Sequence, residues 1–286
     1  MPLDYARLMA LPPMEAHREF TWKDTILYAL GVGAGSEAPT DPGELQFVYE
    51  EGLKALPTMA VILAAPGLWQ ADPQYGITWR QMLHAEQSLV VHRPLPVQGR
   101  VRGVSSIDGI YDKGAAKGAL MYETRRIYCE VSGELLATSR QGIFLRADGG
   151  FGGNSEGAPA AHATPERAPD LTLEAGTRPD QALLYRLSGD YNPLHISPKM
   201  AALAGFKAPI LHGLATYGVA GRLFVKHLCG NEPARLKRLD LRFSSPVYPG
   251  ETLTFDIWRE AAGVAFAARV VERGVSVLRH GYAEIA

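Results

Sequence analysis

The sequence has only two cysteines in 286 residues, Cys129 and Cys229, far apart and in no Cys-x-x-Cys pair. Two such residues make no disulfide framework and fit a reducing compartment. They are also too few for a thiolate zinc site of the finger type. Neither sign of charge is in excess. Twenty-nine Lys and Arg against 30 Asp and Glu leave a net charge of −1, which argues against nucleic-acid binding through overall positive charge. Long apolar runs are missing too. The longest, Met59 to Ala65, is cut by Pro66, well short of the about 20 residues a membrane helix needs. The N-terminal stretch MPLDYARLMALPPMEAHREF lacks a basic start followed by an apolar run, and Glu284-Ile285-Ala286 is not of the peroxisomal Ser-Lys-Leu type. A soluble, cytoplasmic protein without membrane or nucleic-acid partners is the expectation. The 47% hydrophobic residues are ample for a core.

The chain reads as two similar halves. Residues 149–170, GGFGGNSEGAPAAHATPERAPD, are rich in Gly, Ala and Pro without a sustained apolar period, which suits a linker. It separates a repeat over 1–148 from a second over 171–286. TWKDTILYALGVG (21–33) and TRPDQALLYRLSG (177–189) share Thr-x-x-Asp, a leucine-rich turn, Tyr-x-Leu and a closing Gly. Each predicts a helix opened by a Thr cap and ended at glycine. LPVQGRV (95–101) echoes PVYPGETL (246–253). Strand-like runs follow in both halves: SLVVHR, RVRGVSSIDGIYD, GALMYETRRIYCEV and LLATSRQGIFLRA in the first; RLDLRFS, TLTFDIWRE, GVAFAARVVER and VSVLRHGYAEI in the second. Helices followed by strands suggest α+β with an antiparallel sheet. Ile210 to Leu228 is apolar or small on most faces, as in a helix buried on all sides. A sheet wrapped around such a helix is a hotdog, here present twice.

One segment carries candidate chemistry. In YRLSGDYNPLHISP (185–198), Gly189 ends a helix, Asn192-Pro193 forces a turn, and Ser197-Pro198 opens the next helix. Asp190 and His195 therefore share a short fixed loop, where they could hold and deprotonate a water with Asn192 orienting them. The same residues also serve as a cap, a turn and a core histidine in purely structural settings. Gly213, in Leu211-His212-Gly213-Leu214, opens the long apolar helix. Its N–H could steady a developing oxyanion, or the glycine could simply permit close packing. Close packing is the reading for Gly218 and Gly221.

These residues carry a resemblance. YRLSGDYNPLHISP is similar to the signature of the type 2 enoyl-CoA hydratases, a MaoC-like branch of the hotdog proteins that also forms a domain of peroxisomal multifunctional enzyme type 2. ILYALGVGAG, ELQFVYEEG, LPTMAVIL, LHAEQSLVVHRPLP, Asp112-Lys113-Gly114, GGFGG (149–153), ILHGLATYG and Pro246-Val247-Tyr248-Pro249-Gly250 extend the likeness over roughly residues 15 to 286. Ser197 stands where the family usually has Asp, and Ala85 where it has Gly. The resemblance implies hydration of trans-2-enoyl-CoA to (3R)-3-hydroxyacyl-CoA. Asp190 and His195 match the catalytic pair, Asn192 the supporting residue and Gly213 the backbone donor to the thioester carbonyl. No metal or cofactor is implied, since CoA is part of the substrate, and a homodimer is expected.

Only the second half has Asp-x-Asn-Pro-Leu-His, so the first is expected to accommodate the acyl chain. Arg235, Lys237, Arg238 and Arg242 are candidate contacts for the CoA phosphates, or a solvated strand face. Glu50 is a further candidate for the substrate site, against an exposed carboxylate. His84 reads as structural, and His195 with His212 as too few groups for a metal. A hotdog acyl-CoA thioesterase and a non-catalytic acyl-CoA-binding partner subunit are the alternatives.

Overall fold

The computed structural model describes residues 3–286. Ten strands form one sheet: β1 (Met14–Phe20), β2 (Met82–Val91), β3 (Gly99–Asp112), β4 (Ala119–Cys129), β5 (Leu135–Leu145), β6 (Leu171–Gly176), β7 (Leu236–Phe243), β8 (Thr252–Glu260), β9 (Gly263–Val270) and β10 (Val275–Ile285). Their order is β1-β3-β4-β5-β2-β7-β10-β9-β8-β6. The order is the same from either edge once β6 is matched to β1, β8 to β3, β9 to β4, β10 to β5 and β7 to β2. The sheet is thus two five-stranded copies joined along β2 and β7. That antiparallel seam sets Glu86 opposite Arg242 and Leu89 opposite Leu239. Glu86 and Arg242 pair at 2.8 Å, the favourable cross-strand arrangement of opposite charges.

Eight strands coincide with runs visible in the sequence. The two edge strands do not. Along β1, half-buried and exposed positions alternate and only Phe20 is buried. In β6 only Ala175 is. Charged residues leave β1 with little apolar alternation to read, and in β6 Leu171, Leu173 and Ala175 do alternate, but over only six residues directly after the linker.

The helices are α1 (Tyr5–Met9), α2 (Trp22–Gly31), α3 (Pro42–Leu45), α4 (Gln181–Tyr185), α5 (Pro198–Leu203) and α6 (Gly213–His227). Every residue of α6 from Ala215 to Val225 is buried, so it is the rod around which the second half wraps. The first half has only a 3-10 turn there, Pro57–Ile62. Its apolar run is too short for more, and Pro66-Gly67 stops it. The glycines of α6 make the close approach possible. A Cβ at Gly218 would come within 2.3 Å of Val32, and one at Gly221 within 2.3 Å of Thr58. Gly218→Ala and Gly221→Ala should each cost about 1–3 kcal/mol by overpacking, measured as urea midpoint shifts at constant slope. Unchanged midpoints would refute that reading.

The two copies of the Thr-x-x-Asp motif pack on one another, with the site for a Gly31 Cβ only 3.1 Å from the Tyr185 Cα. They begin differently. At the start of α2, the Asp24 carboxylate accepts the Thr21 N–H and hydroxyl, both at 2.7 Å. The expected cap at Thr177 is absent. Its hydroxyl donates to the Glu251 carbonyl at 2.7 Å, Arg178 takes up Asp180, and α4 starts only at Gln181. Pro179 explains this, because the residue before a proline is pushed out of the helical region.

Two polar devices fix the remaining chain. The Asp112 carboxylate accepts N–H groups from Gly114, Gly150 and Gly152 at 2.7–2.8 Å. It thereby fastens the glycine-rich start of the linker to the end of β3. Glu44 joins the halves: it accepts the Gly35 N–H at 2.9 Å and pairs with Lys226 and Arg222 of α6 at 2.9 and 3.2 Å. No helix among the described residues is long and apolar enough to cross a membrane.

Candidate active site

Gly189, at φ +128°, turns the chain out of the helix that carries Tyr185. The following turn, Pro193–His195, is capped by Asn192, whose side-chain oxygen accepts the Leu194 N–H at 3.0 Å. Ser197 caps α5 with Pro198 at its first position. Asp190 accepts the Asn192 N–H at 3.2 Å. The loop is therefore held by its own polar side chains, as the Asn-Pro and Ser-Pro steps suggest.

Asp190 and His195 converge with a third group, His212. One ligand atom from each lies within 4.8 Å of the others. His195 is 8% exposed and His212 1%, and their rings stack at 3.7 Å with 26° between planes. The hydrogen bonds assign the tautomers. His195 Nδ1 is 2.8 Å from the Ile210 carbonyl and His212 Nε2 is 3.2 Å from the Asp190 carbonyl. A carbonyl only accepts, so both nitrogens carry protons. His195 Nε2 is left as a bare acceptor beside Asp190. Burial lowers the His195 pKa, opposed by the Ile210 bond and the Asp190 charge. Burial and then His195 push His212 down to about 4. Both imidazoles are neutral at pH 7.

The same three groups could in principle hold a metal ion. Each histidine, however, already gives one ring N–H to a backbone carbonyl, which leaves a single nitrogen on each ring for any further partner. The arrangement suits proton transfer better.

Gly213 is the first residue of α6, where backbone N–H groups lie beyond the reach of helix carbonyls and near the positive end of the dipole. A Cβ there would meet only the Phe243 ring, at an ordinary 3.5 Å, and Gly213 has no left-handed φ. Neither packing nor backbone conformation demands glycine, in contrast to Gly218 and Gly221. Gly213→Ala should leave the unfolding midpoint unchanged and lower kcat, assayed in the same preparation; an unaltered kcat would assign the glycine no part in the site.

The first half contributes a wall through His84. Its ring stands edge-on to Phe243 at 5.2 Å, and Nε2 lies 3.0 Å from the Glu86 carbonyl. Burial pushes its pKa down to about 4, partly opposed by that bond and by the Asp190 charge. Its nearness to Asp190 could not be read from Leu-His-Ala-Glu-Gln, because the juxtaposition depends on the β2–β7 seam.

The other candidates do not gather here. Arg235 is exposed and donates to the carbonyls of Ala286 and Cys229. Arg238 pairs with Asp240 at 2.6 Å and Arg242 with Glu86. Both line a cavity of about 600 Å³ between the sheet and linker residues 159–162. Neighbours Leu239 and Leu241 point the opposite way, into the core. Lys237 is half-buried on the same strand. Alternation along β7 thus splits the apparent basic cluster. Glu50 is exposed; the buried acid of that region is Glu44.

Residues 160–280 match the MaoC like domain, and residues 19–147 match the MFE-2 hydratase 2 N-terminal domain. The chain belongs to the MaoC-like hydratase 2 family. Among its MaoC-like relatives, the peroxisomal enoyl-CoA hydratase 2 of Arabidopsis thaliana is 38% identical, over 97% of this chain and 94% of that one. The 3-hydroxyacyl-thioester dehydratase Y of Mycobacterium tuberculosis is 44% identical, over 86% of this chain and 84% of that one. The peroxisomal multifunctional enzyme type 2 of Mus musculus is 39% identical over 93% of this chain, which spans 36% of that longer protein. A crystal structure of a MaoC-like dehydratase from Phytophthora capsici superposes with a TM-score of 0.87 at 37% identity, covering 98% of both chains. The fold is a double hotdog, as is that of a Mycobacterium tuberculosis protein so described, at TM-score 0.59 and 12% identity.

Proposed function

We propose that the protein is a type 2 enoyl-CoA hydratase that adds water to trans-2-enoyl-CoA and forms (3R)-3-hydroxyacyl-CoA, reversibly. The observation that carries the reading is the bare Nε2 of neutral His195 beside the Asp190 carboxylate, with His212, the N-cap of α6, stacked on the same ring. The names of the Arabidopsis and mouse relatives support the reaction class.

Attack at C3 moves an electron pair through C2 onto the thioester oxygen, where the Gly213 N–H stabilises the charge. The reacting water gives up one proton to the Asp190–His195 pair as its oxygen bonds to C3. With His195 Nδ1–H committed to Ile210 and its Nε2 bare, the resting pair has no proton of its own to give. The proton that reaches C2 is therefore the one taken from water, and the balance is one water added. Asn192 acts through the shape of the loop it caps. The first half, with its single turn in place of a helix, accommodates the acyl chain. Arg235, Lys237, Arg238, Arg242 and Glu50 then stand outside the reacting centre. No cofactor enters the scheme. We extend the reading to a cytoplasmic location, resting on the cysteine content, and to a homodimer, resting on likeness to the family.

The test follows loss of the enoyl-thioester absorbance with crotonyl-CoA and a medium-chain enoyl-CoA, coupled to an R-specific or S-specific dehydrogenase. Coupling to the R-specific enzyme alone is expected. Release of free thiol would instead indicate a thioesterase, and binding without turnover a partner subunit.

A further inference from the structure

Behind the catalytic loop lies a row of buried polar atoms. Gln181 Nε2, Tyr185 Oη, Ser188 Oγ and His212 Nδ1 find no hydrogen-bond partner among the described residues, and Tyr28 Oη and Thr58 Oγ1 have at most each other. They are not scattered. The Tyr185 ring is 4.9 Å from His212 and 6.1 Å from Tyr28, and His212 stacks on His195. Positions 181, 185 and 188 recur at helical spacing and so share one face. The sites for Cβ atoms at Gly218 and Gly221, one turn apart on α6, lie 2.9 Å from Tyr28 Oη and 3.3 Å from Thr58 Oγ1. The row thus runs from the catalytic histidine, between the paired helices of the two halves and along α6, to the 3-10 turn of the first half.

A buried polar atom without a partner is costly, and native proteins satisfy such groups with enclosed water wherever several converge. We propose that this row encloses a file of ordered water that ends on His212 and holds the catalytic loop in register, with Tyr185 and Tyr28 as positioning residues. His212 is the link. Its Nδ1 is a buried acceptor without a partner, while its Nε2–H holds the Asp190 carbonyl. Water bonded to Nδ1 fixes the ring that fixes the loop. This rests on the hydratase reading for its effect on turnover, but the presence of the water does not.

The experiment compares Tyr28→Phe and Tyr185→Phe with the parent protein by thermal unfolding and by steady-state hydration of crotonyl-CoA. Around a dry hydroxyl, losing the oxygen relieves an unsatisfied group and Tm holds or rises; around a hydrated one, a water loses a bond and Tm falls. The expected result is a lower Tm in both variants and a kcat lowered about tenfold with KM unchanged, roughly the loss of one hydrogen bond in the transition state. Tyr185 is the sharper case for hydration, since no protein group faces its hydroxyl, whereas Tyr28 Oη has the Thr58 hydroxyl beside it. An unchanged or raised Tm overturns the water file. A lowered Tm with unchanged kcat overturns the positioning role. If the parent protein shows no hydration, the Tm comparison alone still decides whether the row is wet.

Discussion

Asp190→Asn and His195→Gln should each lower kcat for hydration by roughly 10²–10⁴-fold, with KM far less affected. Asp190→Asn keeps the size of the side chain and an oxygen able to accept the Asn192 N–H. It removes the charge that favours a proton on neighbouring His195. His195→Gln removes the bare Nε2 and the stack on His212. Because the loop is held by the Asn192 and Ser197 caps, both variants should keep the parent circular dichroism spectrum. Steady-state rates with crotonyl-CoA check this. A kcat within threefold of the parent in either variant would remove that residue from the reacting pair.

The largest loss of stability is expected at Glu44. Its side chain is 4% exposed and that of Arg222 2%, so Glu44→Ala strands a guanidinium in the core. Breaking a buried pair from one side typically costs about 3–5 kcal/mol. Burial by itself would raise the Glu44 pKa. The Gly35 N–H and the Lys226 and Arg222 cations outweigh it and hold the carboxyl below its usual range. A carboxyl lowered in the folded state stabilises fully above its unfolded pKa, and that contribution disappears as pH falls through the folded value. The gap between parent and Glu44→Gln in urea midpoint should therefore be widest near pH 7 and close toward acid. A gap that is constant with pH, or a Glu44→Ala loss below about 1 kcal/mol, would show that the pair is not what joins α3 to α6.

Much of this was legible in the sequence because the signals are local. Asn-Pro and Ser-Pro mark the loop, Gly189 its entry, and the unbroken small and apolar run marks α6. What stayed hidden depends on chain segments meeting. His212 lies in the sequence run that contains Gly213, yet only folding stacks it on His195. Asp112 and the glycines at 150 and 152 look like two unrelated motifs until one carboxylate is seen to bind both. The basic residues of β7 cluster in sequence, but a period of two puts Arg238 and Arg242 on the face opposite Leu239 and Leu241 and parts them from Lys237. Thr177 looks like the cap of α4 by analogy with Thr21, and Pro179 alone changes the outcome.

The seam between β2 and β7 has a consequence for how the halves are free to change. Were the two five-stranded units separate molecules, each would have to find its mate from solution, and dilution would part them. Covalent linkage makes the encounter intramolecular, at an effective concentration that does not depend on expression level. A lone unit that pairs with its own kind must keep every surface self-complementary. Here each side of the seam answers to a different sequence, so the two units are free to differ, the second carrying α6 and the Asp190–His195 loop and the first a short 3-10 segment in place of that helix.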